Sequence, residues 1–380
     1  MANWDDVIGQ SDAVSLLRDA AADRGGESHG AMTHAWLITG PPGSGRSNLA
    51  YAFAAALLSR EADGDPVTAA QVDARTHPDL TVLATPNVII KIDEVRELVR
   101  SSYFAPAVGR YRVIVIEDAD RMVERTSNVL LKALEEPPER TVWVLCAPSE
   151  ADLIPTIRSR VRAIRLRVPD IAEVADLIVR RDGVDLELAE RAARHAQSHV
   201  GMAHRLATDE GARARRDETL TAALGIRSVS DAVLAAARML AIATDDGKAY
   251  TEQRDAEERE HALRSLGVEP GQTLPPALRS QIRGLEEDQK RRATRSLRDG
   301  LDRILVDLLS LYRDIIMLQL GRSETIINRE LIAALTAAGE ESTPAETMAT
   351  MDAIQQARQR IEGNVAPALA LEAMLVSAIR

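Results

Sequence analysis

The sequence predicts an α/β domain built on a parallel sheet, followed by two helical regions. Three observations carry this: β-branched runs alternate with helical patterns up to about residue 167, a glycine-rich turn separates the first run from the first helix, and no strand pattern recurs beyond Val168-Pro169. Such alternation is expected of a sheet covered by helices on both faces. The β candidates are AWLITG (35–40), Asp79–Leu83, RVIVIED (112–118) and TVWVLCA (141–147). VRAIRLRV (161–168) alternates apolar and charged residues, as an exposed edge strand does. Helical patterns fall at 46–59, 93–102 and 124–136, and residues 170–208 read as three short helices. The stretch 211–380 is helical, with breaks at Gly267–Pro276, Gly321 and Gly339–Pro344. Its longest pattern, 277–320, passes from a charged half (EEDQKRRATR) to an apolar half (ILVDLLSLYRDIIML), and the charge run reads as a solvated face. The expected domains are 1–167, 168–210 and 211–380.

At 380 residues the chain is too long for one ordinary domain. Hydrophobic residues make up 45% of it, enough to build cores, and the abundance of Ala, Leu and Arg favours helices. A formal charge of −11 argues against tight DNA binding by this chain alone, because phosphate neutralisation needs clustered Lys and Arg. Any DNA would be held mostly by partners. One cysteine, Cys146, excludes an intramolecular disulfide and a thiolate zinc cluster, and suits a reducing cytoplasm. The polar start MANWDDVIGQ does not read as a signal peptide, and charges break every apolar stretch before the ~20 residues of a membrane span. A cytoplasmic chain with no membrane association is expected.

GPPGSGRS occupies residues 40–47, directly after a β run and before a helix. Gly40, Gly45 and Ser47 fit the phosphate-loop pattern G-x-x-x-x-G-K-[ST], with Gly43 inside it, but Arg46 stands at the lysine position. Backbone N–H groups of such a turn converge on an anion at a helix N-terminus. A planar guanidinium, however, does not substitute for a compact ammonium at a close-packed phosphate. ATP or ADP with Mg²⁺ is therefore expected as a weak ligand at most, without hydrolysis. Downstream, VIVIEDADRM (113–122) ends an apolar run in acids, as the segment that orients Mg²⁺ and water does. The usual Asp-Glu order is inverted to Glu117-Asp118, with Asp120 following.

Taken together, these residues resemble the AAA+ subunits of bacterial sliding-clamp loaders. WDDVIGQ (4–10), THPDL (76–80), GRYRVIVIEDADRM (109–122), NVLLKALEEPPERT (128–141) and PTIRSRV (155–161) follow in the family's order, and NVAPALALEAML (364–375) looks like its closing helix. The resemblance implies an AAA+ P-loop domain (1–167), a small helical lid (168–210) and an all-α collar for oligomerisation (211–380). It also implies membership of the DNA polymerase III holoenzyme, which replicates DNA. There, gamma/tau motor subunits and a delta subunit form a ring that loads the β sliding clamp onto primer-template DNA. In the family's Ser-Arg-Cys motif the arginine enters a neighbour's ATP site as a trans finger. The matching residue is Arg160, followed by Val161 in place of cysteine.

The sequence departs from the family in ways that share one direction. The interval 60–75 lacks the four cysteines with which many members hold zinc, so no zinc is expected. Met202 stands where the lid's sensor arginine is common, with Arg205 nearby, and Ser149 stands near the place of a sensor threonine. With Arg46 and the inverted acids, these changes imply the family's non-motor branch: a stator with negligible ATPase of its own. The competing reading is a gamma/tau-like, ATP-hydrolysing motor in which Arg46 serves as the phosphate clamp.

Overall fold

The computed structural model describes residues 4–23, 32–61, 65–85, 89–246 and 279–379, the backbone alone over 279–292. The expected break at Gly267–Pro276 lies outside the described residues. Contacts divide the chain into two compact units, Met1–Thr208 and Asp209–Arg380.

In the first unit, strands β1 (Ala35–Thr39), β2 (Leu80–Leu83), β3 (Arg112–Ile116), β4 (Thr141–Ala147) and β5 (Arg162–Arg165) form one parallel sheet in the order β2-β3-β4-β1-β5. The period of two sorts its side chains between two cores. Trp36, Ile38, Val113, Val115, Val142 and Val144 face one core, together with helices α1 (Ser11–Ala22), α2 (Arg46–Leu58) and α3 (Pro66–Asp73). Leu37, Ile114, Ile116, Trp143 and Leu145 face the other, with α4 (Ile92–Ser102), α5 (Glu124–Glu135) and α6 (Pro155–Arg158). Strands β1 and β4 are buried along their whole length, which is why both read as unbroken apolar runs. Each fully buried Leu, Ile or Val there contributes about 1.5–3 kcal/mol. β5 is one edge of the sheet, with only Ile164 buried, and it is shorter than the pattern at 161–168 suggests.

The THPDL segment has a structural task. The fully buried Asp79 accepts hydrogen bonds from the backbone N–H groups of Ala107, Val108 and Gly109, each at 2.7 Å, and pairs with Arg112 at 3.3 Å. It thereby ties the turn before β3 to the start of β2.

Three further helices complete this unit: α7 (Ile171–Asp182), α8 (Leu186–His195) and α9 (Val200–Thr208). Asp170 and Glu173 cap α7 reciprocally, and Asp185 caps α8. Gln10 joins the N-terminal segment to the β5–α7 connection, giving Nε2–H to the Arg167 carbonyl at 2.8 Å and accepting the Arg167 N–H at 3.1 Å.

The second unit is helical throughout its described residues: α10 (Glu210–Leu224), α11 (229–246), α12 (Arg279–Gln319), α13 (Ile332–Glu340), α14 (Pro344–Glu362) and α15 (Pro367–Val376). On α12, Leu301, Leu305, Leu308, Tyr312 and Ile315 recur at spacings of three and four and enter one core. Gly339 lies inside α13 rather than in a break. A Cβ there would stand 3.4 Å from Gln319 and 3.8 Å from Ile315, ordinary packing distances that would also accept an alanine. The chain breaks after it, between Glu340 and Pro344. Buried Arg216 donates to Asp307 at 2.8 Å and to Asn328 at 2.6 Å, and Asp314 receives the Asn328 N–H at 2.7 Å. Among the described residues no helix is long and apolar enough to cross a membrane.

Burial pushes the Asp79 carboxyl up, but the three N–H donors and Arg112 outweigh it and hold the group below the usual carboxylate range. A folded-state value below the unfolded one stabilises above the ordinary carboxylate range, and that stability is lost as pH falls through the folded value. Asp79→Ala is expected to cost about 3–5 kcal/mol by urea unfolding at pH 7, because it strands the half-buried Arg112 and three N–H groups. Repeating the titration at pH 3 should show the difference from wild type shrinking.

Candidate functional site

Parallel pairing brings the carboxyl ends of β1, β3 and β4 to one edge of the sheet, where ligand sites of such sheets form. The glycine-rich turn leaves β1 there. Gly43 (φ 81°) and Gly45 (φ 89°) are left-handed, and Gly45 caps α2. The Gly40 N–H donates to the carbonyls of Ala147 (3.4 Å) and Pro148 (3.2 Å) beyond β4. Ser44 is buried, and its Oγ has no hydrogen-bond partner among the described residues.

Arg46, the variant position, does not extend over the loop: its Nη1 donates to the loop's own Gly40 carbonyl at 2.8 Å. Opposite it, Glu117 at the end of β3 is surrounded. Arg75 pairs with Oε1 at 2.7 Å, the Tyr51 hydroxyl donates to the same oxygen, and the Ser47 hydroxyl donates to Oε2 at 3.4 Å. The Arg75 guanidinium also stands 5.4 Å over the Tyr51 ring. Burial, and then the Glu117 charge, raise the Tyr51 hydroxyl above its ordinary value, so it remains a donor. Asp118 turns aside to Arg121 at 3.6 Å. Burial pushes Asp120 up, with Asp118 adding to the shift and Arg46 and Arg121 opposing it. Beneath the loop, burial drives the Cys146 thiol up to about 12, which makes it an inert core group.

The backbone of this turn suits an anion. The acid that would orient a magnesium ion does not suit the metal, because its oxygens already meet one cation and two hydroxyls. Gly40, Gly43, Gly45, Arg46, Ser47, Glu117 and Asp118 all gather at this edge, but the charged members are engaged with protein groups.

The α8–α9 turn also reaches the loop, through a residue the sequence did not single out. A Cβ on Gly43 would lie 2.4 Å from the His199 ring and 2.7 Å from its Cα, so His199 sits directly on the loop. Met202 gives its N–H to His199 Nδ1 at 3.3 Å. Ser149 is occupied as a cap, accepting from Ala151 N at 3.2 Å. Arg75, Tyr51 and His199 were all missed. The signals available were Arg75 directly before THPDL and His199 beside Gly201, but nothing local ties either one to the loop.

Arg160 is elsewhere. It precedes β5, whose Arg162 pairs with Trp36 near the start of β1, whereas the phosphate loop follows Thr39. The two sites are therefore at opposite ends of parallel strands, separated by at least ~10 Å for three steps of about 3.3 Å. The Arg160 guanidinium pairs with Glu135 at 2.6 Å and donates to the Thr156 carbonyl at 2.7 Å, while its side chain stays 33% exposed.

A protein family described as "DNA polymerase III, delta subunit" matches residues 12–170. Those residues are similar to this family. A delta-prime subunit of DNA polymerase III from Pseudomonas aeruginosa is 37% identical over 134 residues, covering 33% of this chain and 41% of that protein. A gamma subunit from Buchnera aphidicola is 31% identical over 172 residues, covering 43% and 45%. The chain thus spans less than half the length of these curated relatives. Among solved structures, a gamma subunit-related protein of Thermotoga maritima is 19% identical with a TM-score of 0.45, covering 96% of this chain and 98% of that one. The first unit is an α/β fold on a parallel sheet, similar in sequence to subunits of DNA polymerase III, and a helical C-terminal region follows it.

Gly43→Ala is expected to destabilise the first unit by about 1–3 kcal/mol, since it adds both a left-handed strain and a clash with His199. Thermal melts compared with Gly45→Ala separate the two causes: Gly45 is also left-handed, but a Cβ there meets nothing within 4 Å.

Proposed function

We propose that this chain is a delta-prime-like stator of a DNA polymerase III clamp loader. It assists ATP-dependent loading of the β sliding clamp onto primed DNA and supplies Arg160 to the ATP site of a neighbouring motor subunit. One observation carries this: Arg160 is partly exposed at the end of the sheet opposite its own phosphate loop, so its guanidinium serves a different nucleotide site if it serves any. A guanidinium delivered in trans stabilises charge on a transferring phosphoryl group and is worth on the order of 10³–10⁵ in rate. In this reading residues 168–210 are the lid and 211–380 the collar that joins gamma/tau and delta subunits. The chain works in the cytoplasm and touches clamp and DNA through the complex. The motor alternative finds less support, because it needs Arg46 free to clamp phosphate, and Arg46 is bonded to Gly40.

The test is a reconstituted loader of gamma/tau, delta and this chain. With Arg160→Ala, clamp- and DNA-stimulated ATP turnover is expected to lose the contribution of the adjoining motor site, and clamp loading to fall at least tenfold, while the ring still assembles by gel filtration. Unchanged stimulated turnover removes the finger role. ATP turnover by the isolated wild-type chain that is lost in Arg46→Ala makes the chain a motor instead.

A further inference from the structure

We infer that Arg75 occupies the place of the divalent cation at the phosphate loop, so that this chain closes its own metal position with a guanidinium. Three independent features converge on this. The first is position: Glu117 ends β3 beside Ser47 at the start of α2, the pair of oxygens that would face a metal ion next to the loop, and the two are already bonded to each other at 3.4 Å. The second is charge. Arg75 approaches Glu117 Oε1 to 2.7 Å, and the Tyr51 hydroxyl completes that oxygen. A divalent ion on the same carboxylate would add two positive charges next to a third.

The third is the backbone beneath Arg75. Helix α3 ends in a turn where Arg75 N–H donates to the Val72 carbonyl at 3.0 Å and Thr76 N–H to Gln71 at 2.8 Å. That pattern requires a left-handed residue, and Arg75 sits there at φ 56°. The same pattern of bonds ends α12 and α14 on Gly321 (φ 72°) and Asn364 (φ 66°), residue types that adopt this conformation readily, and ends α8 on Gln197 (φ 49°), which leads into the turn that sets His199 against the loop. An arginine at a position that suits glycine is explained by what its side chain reaches.

The inference deepens the stator reading, because a chain that fills its metal position from within cannot run Mg²⁺-dependent hydrolysis. It rests on residues other than Arg160, so either can fail alone. The test is equilibrium dialysis of Mn²⁺ against the full-length chain in the presence of ADP. Wild type is expected to retain no more Mn²⁺ than Glu117→Gln. Arg75→Gly, which relieves the left-handed strain while removing the guanidinium, is expected to retain about one ion per chain and to bind it at least tenfold more tightly than wild type. The double variant with Glu117→Gln should lose that ion. Circular dichroism melts verify that Arg75→Gly is folded, and Arg75→Asn, which also tolerates the turn, is the second variant. Two outcomes overturn the inference: a Glu117-dependent Mn²⁺ ion on the wild-type chain, or folded Arg75→Gly and Arg75→Asn chains that bind no more Mn²⁺ than wild type.

Discussion

The parallel pairing of β1 with both β4 and β5 is the constraint from which the chemistry of the first unit follows. Because every strand runs the same way, all carboxyl ends meet at one edge and all amino ends at the other. The first edge receives the glycine loop, Glu117 and the Ala147–Ser149 turn. The second receives the α5–β4 connection, with Glu135 before it, and the α6–β5 connection, with Arg160. No side chain spans a buried sheet along its strands, so one module can present an arginine outward while its own phosphate loop faces the other way. The geometry of a single sheet thus keeps Arg160 and the phosphate loop apart.

Electrostatics then decides what the loop can do. Fixed positive groups at a site of this kind stabilise phosphate charge only if they are free to turn towards it. Here Arg46 is bonded to a carbonyl of the loop and Arg75 to the acid opposite. Both guanidinia satisfy protein groups. A nucleotide would have to displace existing ion pairs and hydrogen bonds rather than complete missing ones, and only the surplus would appear as affinity.

Much of the architecture was legible in the sequence, for a physical reason. A strand buried on both faces must be apolar at every position, so AWLIT and TVWVLCA announce themselves. The loop was legible because its glycines are imposed by left-handed backbone. Helices α1, α3 and α6 of the first unit were not read: α3 is only eight residues long and α6 only four, and α1 lies before the first strand, outside the alternation that was followed. The partners of Glu117 were illegible because they are made by topology: Tyr51 and Arg75 are distant from it in sequence, and no periodicity links them. Tyr51 looks like any core residue of α2 until β3 is laid beside it.

Backbone strain reinforces the same distinction between the two units. Among the described residues, five that are not glycine adopt positive φ, and four of them, Arg75, Arg140, Gln197 and Ser198, lie in the first unit. Each costs on the order of 1–2 kcal/mol relative to ordinary backbone. Three of these positions bear directly on the loop: Arg75 delivers its guanidinium to Glu117, while Gln197 and Ser198 form the turn that sets His199 on Gly43. Arg140 holds the carbonyls of Gly109 and Arg110, next to the turn anchored by Asp79. The second unit ends its helices on Gly321 and Asn364, at little conformational expense. Strain of this kind persists only where surrounding contacts over-determine it. Its concentration around the phosphate loop ties that loop, through Glu117 and through His199, to the end of α3 and to the α8–α9 turn.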